Sequence, residues 1–179
     1  MSFLNRFRSP ERIAEIAAQK KAELEKIRAD MSLADWKYIE QTDELTGKKF
    51  LIGRLSSKNK VSLSPPYNGG STLIISVSRH PRVVTFQIDK GQFIYKIETA
   101  LNGPRFFTEI SCRLDDGPVF TLKGIQPKSH SHTEFTLENP AAFTMGIRKK
   151  SSLKVEALLY QDGPKVFNFN PNAMSNALY

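Results

Sequence analysis

The sequence predicts a mainly β protein, in which an antiparallel β-sandwich or barrel-like domain follows an N-terminal α-helix and ends in a short C-terminal helix. After Ser32 the chain consists of short runs of β-branched and aromatic residues, separated by turn residues at intervals of roughly ten residues. No helical pattern connects successive runs, which favours an antiparallel sandwich or barrel over an alternating α/β fold. The preceding residues have the composition of a charged helix. We therefore divide the chain into a helix, residues 1–31, and a β-domain, residues 32–179.

The N-terminal helix has a recognisable start and a narrow apolar stripe. Ser9 is a suitable N-cap and Pro10 occupies the first helical position. Apolar residues then recur at steps of three and four, with Lys20 as the polar exception: Ile13, Ala17, Leu24, Ile27 and Met31. This stripe fits docking onto the β-domain, pairing with a second copy or another helix, or lying on a membrane surface.

The β-domain is predicted from alternating polar and apolar residues, as in Val83–Asp89. The last helix is predicted to start at Pro171, after Asn170 as cap, and to run through Leu178. The predicted strands are Trp36–Thr42, Lys49–Ser56, Thr72–Arg79, Val83–Asp89, Phe93–Glu98, Arg105–Leu114, Val119–Lys123, Glu134–Glu138, Phe143–Arg148, Leu153–Tyr160 and Lys165–Asn170.

The connections between strands share one kind of turn. Asn or Asp followed by Gly and Pro occurs at Asn102, Asp116 and Asp162, each time before an aromatic-bearing strand. Asn, Asp and Gly tolerate the positive φ angles of tight hairpins. The segment Ser56–Gly70, with Pro65-Pro66 and Gly69-Gly70, is predicted to be a long exposed loop.

Charge and cysteine content limit the environment and the partners. The net charge is +8. Most of the excess lies in residues 32–179, which hold 19 Lys and Arg against 13 Asp and Glu. Such a surface attracts acidic or phosphorylated partners. A single cysteine and the lack of an apolar signal-peptide core predict a cytoplasmic protein, and no apolar run is long enough for a transmembrane segment.

Candidate chemical groups are few, and we predict neither a catalytic residue nor a cofactor. His130 and His132 share a face if extended and are the only metal-ligand candidates, but two ligands do not complete a zinc site. The Asp115-Asp116 pair precedes Gly-Pro and is interpreted as turn chemistry. Cys112 lies in an apolar strand and is interpreted as a buried thiol.

Binding residues are predicted from the basic and aromatic side chains. The anion or partner site is assigned to Arg148, Lys149, Lys150, Lys154, Arg79 and Arg82. An aromatic interface is assigned to whichever of Trp36, Tyr67 and Phe93 are exposed. The alternative is that the basic residues belong to solvated turns that keep sheet edges from pairing.

The β-domain resembles the β-sandwich domain of type VI secretion accessory proteins and of invasion-associated locus B proteins. The resemblance rests on Thr72-Leu-Ile-Ile-Ser-Val, Cys112-Arg-Leu-Asp-Asp, and the ending Leu153-Lys-Val, Val166-Phe-Asn-Phe and Ala177-Leu. It implies a sandwich used for binding and carries over no catalytic residue. Those families are exported and richer in cysteine, whereas here Arg79 stands near an expected cysteine. A cytoplasmic version with an added helix would suit a phage-encoded or other mobile-element accessory protein.

These observations lead to three hypotheses. The first is a non-enzymatic interaction module that binds a protein or anionic partner through the basic β-domain and forms homo-oligomers or anchors a partner through the helix. The second is a nucleic-acid-binding protein, whose affinity would fall steeply with salt. The third is an enzyme for a phosphorylated or nucleotide ligand, in which His130, His132 and Arg148 would have to converge.

Overall fold

The computed structural model describes residues 18–19, 35–67, 69–101, 103–172, 174 and 178. Ala18 and Gln19 are helical and exposed. The rest of the predicted N-terminal helix lies outside the described residues, including its whole stripe of Ile13, Ala17, Leu24, Ile27 and Met31. The predicted C-terminal helix from Pro171 through Leu178 is not seen at Pro171, Asn172 and Met174, Leu178 is in a 3-10 turn, and the other residues of this segment lie outside the described ones. The amide of Asn172 donates to Asn170 Oδ1 at 3.3 Å.

The described part of the β-domain is mainly antiparallel β structure, as the sequence predicts, and it also contains one short helix. The helix, α1, is Pro140–Ile147. The strands are β1 Trp36–Thr42, β2 Lys49–Ser56, β3 Val61–Ser62, β4 Gly70–Ser71, β5 Leu73–Arg79, β6 Arg82–Ile88, β7 Lys96–Ala100, β8 Gly103–Leu114, β9 Val119–Ile125, β10 Glu134–Leu137, β11 Leu153–Leu159 and β12 Gly163–Phe169.

Ten of these strands form one sheet in the order β1-β2-β5-β6-β10-β9-β8-β11-β12, with β7 paired to β8. β3 and β4 form a separate two-stranded sheet. Neighbours that follow each other along the chain are hairpins, as in β5–β6, where Arg79 and Arg82 are the last pair before the turn. The turns after β1, β5 and β8 lie at the same end of the sheet as α1, which lies against β6.

The core is built from one face of most strands of the sheet, whereas β7 contributes no buried residue. In β11, Leu153, Val155, Ala157 and Leu159 are fully buried, and the residues between them are exposed. This period of two is the pattern of a sheet with one face in the core. At the centre of the core the Phe86 and Phe135 rings stack with centroids 5.1 Å apart. Burial of these aliphatic and aromatic side chains is the main stabilising contribution to the fold.

The predicted strand at Phe143–Arg148 is wrong, because most of this segment is helix α1. The Asn139 side chain caps the helix by accepting from the Ala142 amide at 3.3 Å, and Pro140 occupies its first turn. Both residues favour a helix start. The helix then buries Phe143, Thr144 and Ile147. Residues at these spacings lie on one face of a helix. With this face buried, α1 covers the core at one end of the sheet and does not add a strand to it.

Several strand limits differ by one or two residues from the prediction, and two differences are larger. β7 begins at Lys96, and Phe93 makes only an isolated bridge to Leu159 of β11. The predicted long loop Ser56–Gly70 contains β3 and the start of β4, which pair through Val61 and Ser71. In both places the sequence has too few residues in alternation to define a short strand.

The ends of the β-domain are tied together by hydrogen bonds. Asn59, which follows β2, donates to the Val166 carbonyl at 2.9 Å and accepts from the Asn168 amide at 2.7 Å. The neighbouring Lys58 amide donates to the Asn168 carbonyl. On the first strand, Trp36 Nε1 donates to the Pro171 carbonyl at 3.1 Å. The segment after β2 is therefore bound directly to the last strand of the sheet.

No helix in the described part of the chain is long and apolar enough to cross a membrane.

Candidate functional site

The hairpin turn between β5 and β6 and the end of α1 bring together basic residues that are distant in sequence. β10 pairs with β6 through Thr136 and Thr85, and α1 follows β10, so the helix lies beside the start of β6. Arg82 and Arg148 consequently line one open groove of about 310 Å³. We call it the arginine groove, and its lining is Arg82, Thr144, Met145 and Arg148.

Arg79 adds a further charge beside this groove. It is the cross-strand partner of Arg82, and both side chains are exposed. Within the described residues, no carboxylate lies within ion-pair distance of Arg79 or Arg82. Like charges directly opposite each other in a sheet are destabilising. An anion bound between Arg82 and Arg148 would relieve part of that repulsion.

The other two residues of the basic run 148–150 have different surroundings. Lys149 is exposed and has a left-handed backbone, with φ of 60°. Lys150 Nζ lies 3.4 Å from Asp115 Oδ2 and is therefore already paired. Of the three residues, Arg148 lines the arginine groove, Lys149 adjoins it, and Lys150 closes a turn.

Asp115 organises that turn. Its Oδ1 accepts from the Ser151 amide at 3.1 Å, the Ser151 hydroxyl at 2.9 Å and the Ser152 amide at 2.9 Å. These hydrogen bonds, with the Ser152 amide first, lower the pKa of the carboxyl below its ordinary value. The carboxylate thus holds the segment between α1 and β11 against the β8–β9 turn. This agrees with its interpretation as a turn residue.

A second groove lies on the other side of the β5–β6 turn. It has a volume of about 480 Å³ and lies between this turn and the β1–β2 turn. We call it the histidine groove, and its lining is Asp43, Thr46, Lys48, Lys49, Phe50, His80 and Pro81. The sequence does not predict this groove as one site, because its residues come from two turns that only the pairing of β2 with β5 makes neighbours.

The charges in the histidine groove are of both signs. Asp43 Oδ1 accepts from the Leu45 amide at 2.9 Å and the Thr46 amide at 2.8 Å. These bonds, with Thr46 first, lower the pKa of Asp43, so its carboxylate is ionised at neutral pH. Lys49 Nζ lies 3.7 Å from Glu40 Oε2, with both side chains about 70% exposed. An ion pair this exposed is weak, so Lys49 can leave Glu40 and pair with another carboxylate.

Lys154 is in a different place from the other predicted anion-binding residues. It lies on β11 opposite Arg113 of β8 and lines a groove of about 260 Å³ on the outer face of the sheet. Glu156 lines the same groove. The predicted basic site is therefore divided, with Arg79, Arg82, Arg148 and Lys149 at one end of the sheet and Lys154 on its face.

The predicted aromatic interface requires a correction. Trp36 is 3% exposed and Phe93 is 1% exposed, so neither ring is available to a partner. Trp36 faces the core from β1, and the Phe93 ring packs edge-on against Phe135 at 4.8 Å. Tyr67 is half-buried and packs against the core. An aromatic residue in a strand of alternating polar and apolar residues can lie in the core or on the surface, where it could anchor a partner. The strand register determines which of the two it does.

His130 and His132 are separated from the arginine groove. The Ile88 amide donates to the Thr133 carbonyl at 2.8 Å, which places the histidine segment beside the far end of β6. Arg82 is the first residue of β6, six residues away, or about 20 Å along an extended strand. The His132 ring packs on Tyr95 at 5.6 Å and the His130 ring on Phe106 at 6.3 Å. No group of three or more potential metal ligands occurs among the described side chains.

A third set of basic residues is neutralised by its neighbours. On β7, β8 and β9, Lys96 pairs with Glu109, Lys123 with Glu98, and Arg105 with both Glu98 and Glu138. Lys123 Nζ also lies 4.4 Å from the centroid of the Phe107 ring. Cation–π contact and ion pairing occupy this face, which makes it a poorer anion site than the arginine groove.

Two buried groups have raised pKa values that come from burial. Cys112 is 1% exposed, and burial raises the pKa of its thiol to about 12. Burial, with a smaller contribution from Glu134, also raises the pKa of the Tyr95 phenol, whose hydroxyl donates to the Glu134 carbonyl. Both groups are neutral at pH 7, and Cys112 is therefore a poor nucleophile.

Comparisons with protein-family models, with curated proteins and with solved structures found no match to this chain.

Proposed function

We propose that this chain is a non-enzymatic interaction module that binds an anionic partner through the arginine groove and the neighbouring Arg79 and Lys149. The observation that carries this proposal is that Arg82 and Arg148 line the same groove. Two guanidinium groups that converge on one open space form a site for carboxylate or phosphate, because each offers a rigid set of donors. The resemblance to binding sandwiches of secretion accessory proteins supports the same role.

The proposal includes two features of the architecture. The bonds from Asn59 to β12 support a sheet that curves back on itself into a sandwich or barrel-like body. Residues 1–31 are assigned to self-association or to anchoring a partner, because their predicted stripe is narrow. A rigid body with a basic end and a separate helix is a suitable design for an accessory protein that joins two components.

The proposed role in binding is favoured over the proposed enzyme. His130 and His132 lie near one end of β6 and Arg148 lies near the other, so the three side chains that the enzyme hypothesis requires do not converge. Nucleic acid is the second candidate partner, favoured by the net charge of +8. The carboxylate of Asp43 in the histidine groove and the burial of Trp36 and Phe93 count against it.

The proposal is tested by binding of labelled poly-glutamate and of single- and double-stranded oligonucleotides to the full chain at about 50 mM salt. The double variant Arg82→Gln/Arg148→Gln is expected to weaken binding of the anion that the wild type prefers at least tenfold. This corresponds to about 1.4 kcal/mol, within the range of one charge-assisted hydrogen bond.

A control variant separates the groove from the overall charge. Lys37→Gln/Lys154→Gln removes the same amount of charge from two exposed strand positions outside the groove, and its affinity should stay within twofold or threefold of the wild type. Equal losses in the two double variants would mean that binding follows net charge alone. The proposal fails if the wild type binds none of the three anions.

A further inference from the structure

The arginine groove and the histidine groove share the β5–β6 turn. Arg82 lines the first, and His80 and Pro81 line the second. The turn is exposed from Arg79 to Arg82, so it forms a ridge with a cationic groove on each side. A ligand that crosses this ridge would contact both grooves at once.

We propose that this ridge binds an extended protein segment with two acidic positions on either side of an apolar residue. This inference rests on the proposed function and deepens it, because it names the class of the anionic partner. One acidic position is received by Arg82 and Arg148, and the other by Lys48, Lys49 and His80. Carboxylates paired with guanidinium and ammonium groups give the segment its orientation.

The spacing of the two grooves follows from the order of the strands. Lys49 is on β2, Arg82 is on β6 with β5 between them, and α1 follows β10, the next strand beyond β6. Three intervals between neighbouring strands amount to about 14 Å, and an extended chain advances about 3.3 Å per residue. The two acidic positions of the segment are therefore about four residues apart.

Both grooves also contain apolar surface. The Met145 side chain in the arginine groove is 74% exposed. Phe50 and Pro81 line the histidine groove, and Phe50 is half-buried. A methionine this exposed beside charged residues is suited to adaptable apolar contact. An apolar side chain between the acidic positions would lie on this surface.

The charges favour a protein segment over a nucleic-acid strand. Asp43 lies within the histidine groove and is held ionised by the amides of the β1–β2 turn. This carboxylate repels a continuous phosphodiester backbone, whereas a protein partner can pair it with a donor. The N-terminal residues 1–31 are a poor occupant, because they carry seven Lys and Arg against five Asp and Glu. The segment is therefore assigned to another protein.

The test uses the full chain and three labelled probes in fluorescence anisotropy. The first is the split peptide Glu-Asp-Ser-Phe-Ser-Asp-Glu, whose acidic pairs flank an apolar residue. The second is the clustered peptide Ser-Phe-Ser-Glu-Asp-Asp-Glu, which has the same composition with the acidic residues adjacent. The third is a twelve-nucleotide single-stranded oligo-dT. Wild type is expected to bind the split peptide at least tenfold more tightly than either other probe.

Variants assign the affinity to the two grooves. Lys48→Gln/Lys49→Gln and Arg82→Gln/Arg148→Gln should each weaken the split peptide about tenfold, and Lys37→Gln/Lys154→Gln should leave it unchanged. All six positions are exposed, and far-ultraviolet circular dichroism with urea midpoints verifies that the variants are folded. Equal affinity for the two peptides, or no effect of the lysine variant, overturns the two-groove inference.

The outcomes distinguish this inference from the proposed function. If poly-glutamate binding still depends on Arg82 and Arg148 while the peptides fail these criteria, the inference fails and the anion-binding module stands. If oligo-dT binds more tightly than the split peptide, the partner is nucleic acid and the inference is overturned. If no anion binds the wild type, both proposals fail.

Discussion

At the scale of the residue, the carboxylate of Asp115 holds the segment between α1 and β11 in place. Its oxygen accepts from Ser151 and Ser152, and Lys150 lies beside it. Because these contacts lower its pKa, the ionised form stabilises the fold at pH values above the ordinary carboxyl pKa near 3.9. The contribution is lost as the pH falls through the lowered pKa of the folded state.

We therefore expect Asp115→Asn to be less stable than wild type at pH 7, with a difference that shrinks as the pH falls below the ordinary carboxyl pKa. Asparagine keeps an acceptor and tolerates the left-handed backbone at this position, where φ is 48°, so the substitution removes chiefly the charge. Urea unfolding at several pH values measures the effect. Asp116→Asn, at the exposed neighbouring position, is the matched control variant. A deficit of Asp115→Asn that is equal at pH 7 and pH 3 would contradict the assignment.

The burial of Cys112 predicts that its thiol reacts slowly in the folded protein. With a thiol pKa of about 12, only about one molecule in ten thousand carries a thiolate at pH 8. We expect a disulfide reagent such as dithionitrobenzoate to react with the native protein at least a hundredfold more slowly than with the urea-unfolded protein. Native labelling as fast as that of free glutathione would show that the β8 side chain is accessible.

At the scale of the element, two glycines allow a matched comparison. A Cβ on Gly124 of β9 would lie 2.1 Å from Phe135 Cδ2, on a ring in the core. A Cβ on Gly146 of α1 would lie 3.6 Å from Leu114 Cδ1, an ordinary contact. β9 needs glycine at that position because Phe135 of the neighbouring β10 occupies the space above it.

Gly124→Ala is expected to destabilise the protein by about 1–3 kcal/mol, the usual cost of overpacking a core. Gly146→Ala should be neutral or stabilise by up to about 1 kcal/mol, because alanine is the better helix former. Urea denaturation of both variants gives the comparison. Similar effects for the two substitutions would mean that β10 is not where the register places it.

The elements also show what the sequence could and could not predict. β1 and β2 were predicted with their observed limits, because alternation and flanking turns define long hairpin strands without reference to the rest of the fold. The segment Phe143–Arg148 was predicted as a strand from its apolar residues, although Asn139-Pro140 carried the helix-start signal. A short apolar run fits either structure, and the cap decided between them.

The candidate site was only partly predictable for a related reason. Arg79, Arg82 and Arg148 were recognised as basic turn residues, but their grouping depends on where β10 and α1 lie against β6. Trp36 and Phe93 have the composition of anchors, and their burial depends on which face of the sheet becomes the core. Composition identifies the side chains, whereas strand order and register place them.

At the scale of the molecule, the described core begins at Trp36 and ends at Leu178. It joins strands from both ends of the sheet, and β11 and β6 contribute fully buried residues on their inner faces. The division of the chain into residues 1–31 and 32–179 stays a prediction. The described core implies that residues 36–178 carry stabilising interactions of their own.

We expect a chain that begins at Ser32 to fold with a free energy of unfolding within about 1 kcal/mol of the full chain, since the loss of a peripheral segment has a small effect. Urea unfolding tests this, and sedimentation velocity on both forms tests whether residues 1–31 set the oligomeric state. An unfolded truncated chain would show that the first residues belong to the core. An unchanged monomer in both forms would remove self-association from the proposal.

The indole of Trp36 gives the molecule a built-in optical reporter. It is the single tryptophan of the chain, it is buried in β1, and it donates to the carbonyl of Pro171 near the other terminus. Ultraviolet emission from this ring therefore monitors the junction between the two ends of the β-domain, without any label. A red shift that precedes loss of the circular dichroism signal would identify this junction as the first part of the β-domain to open.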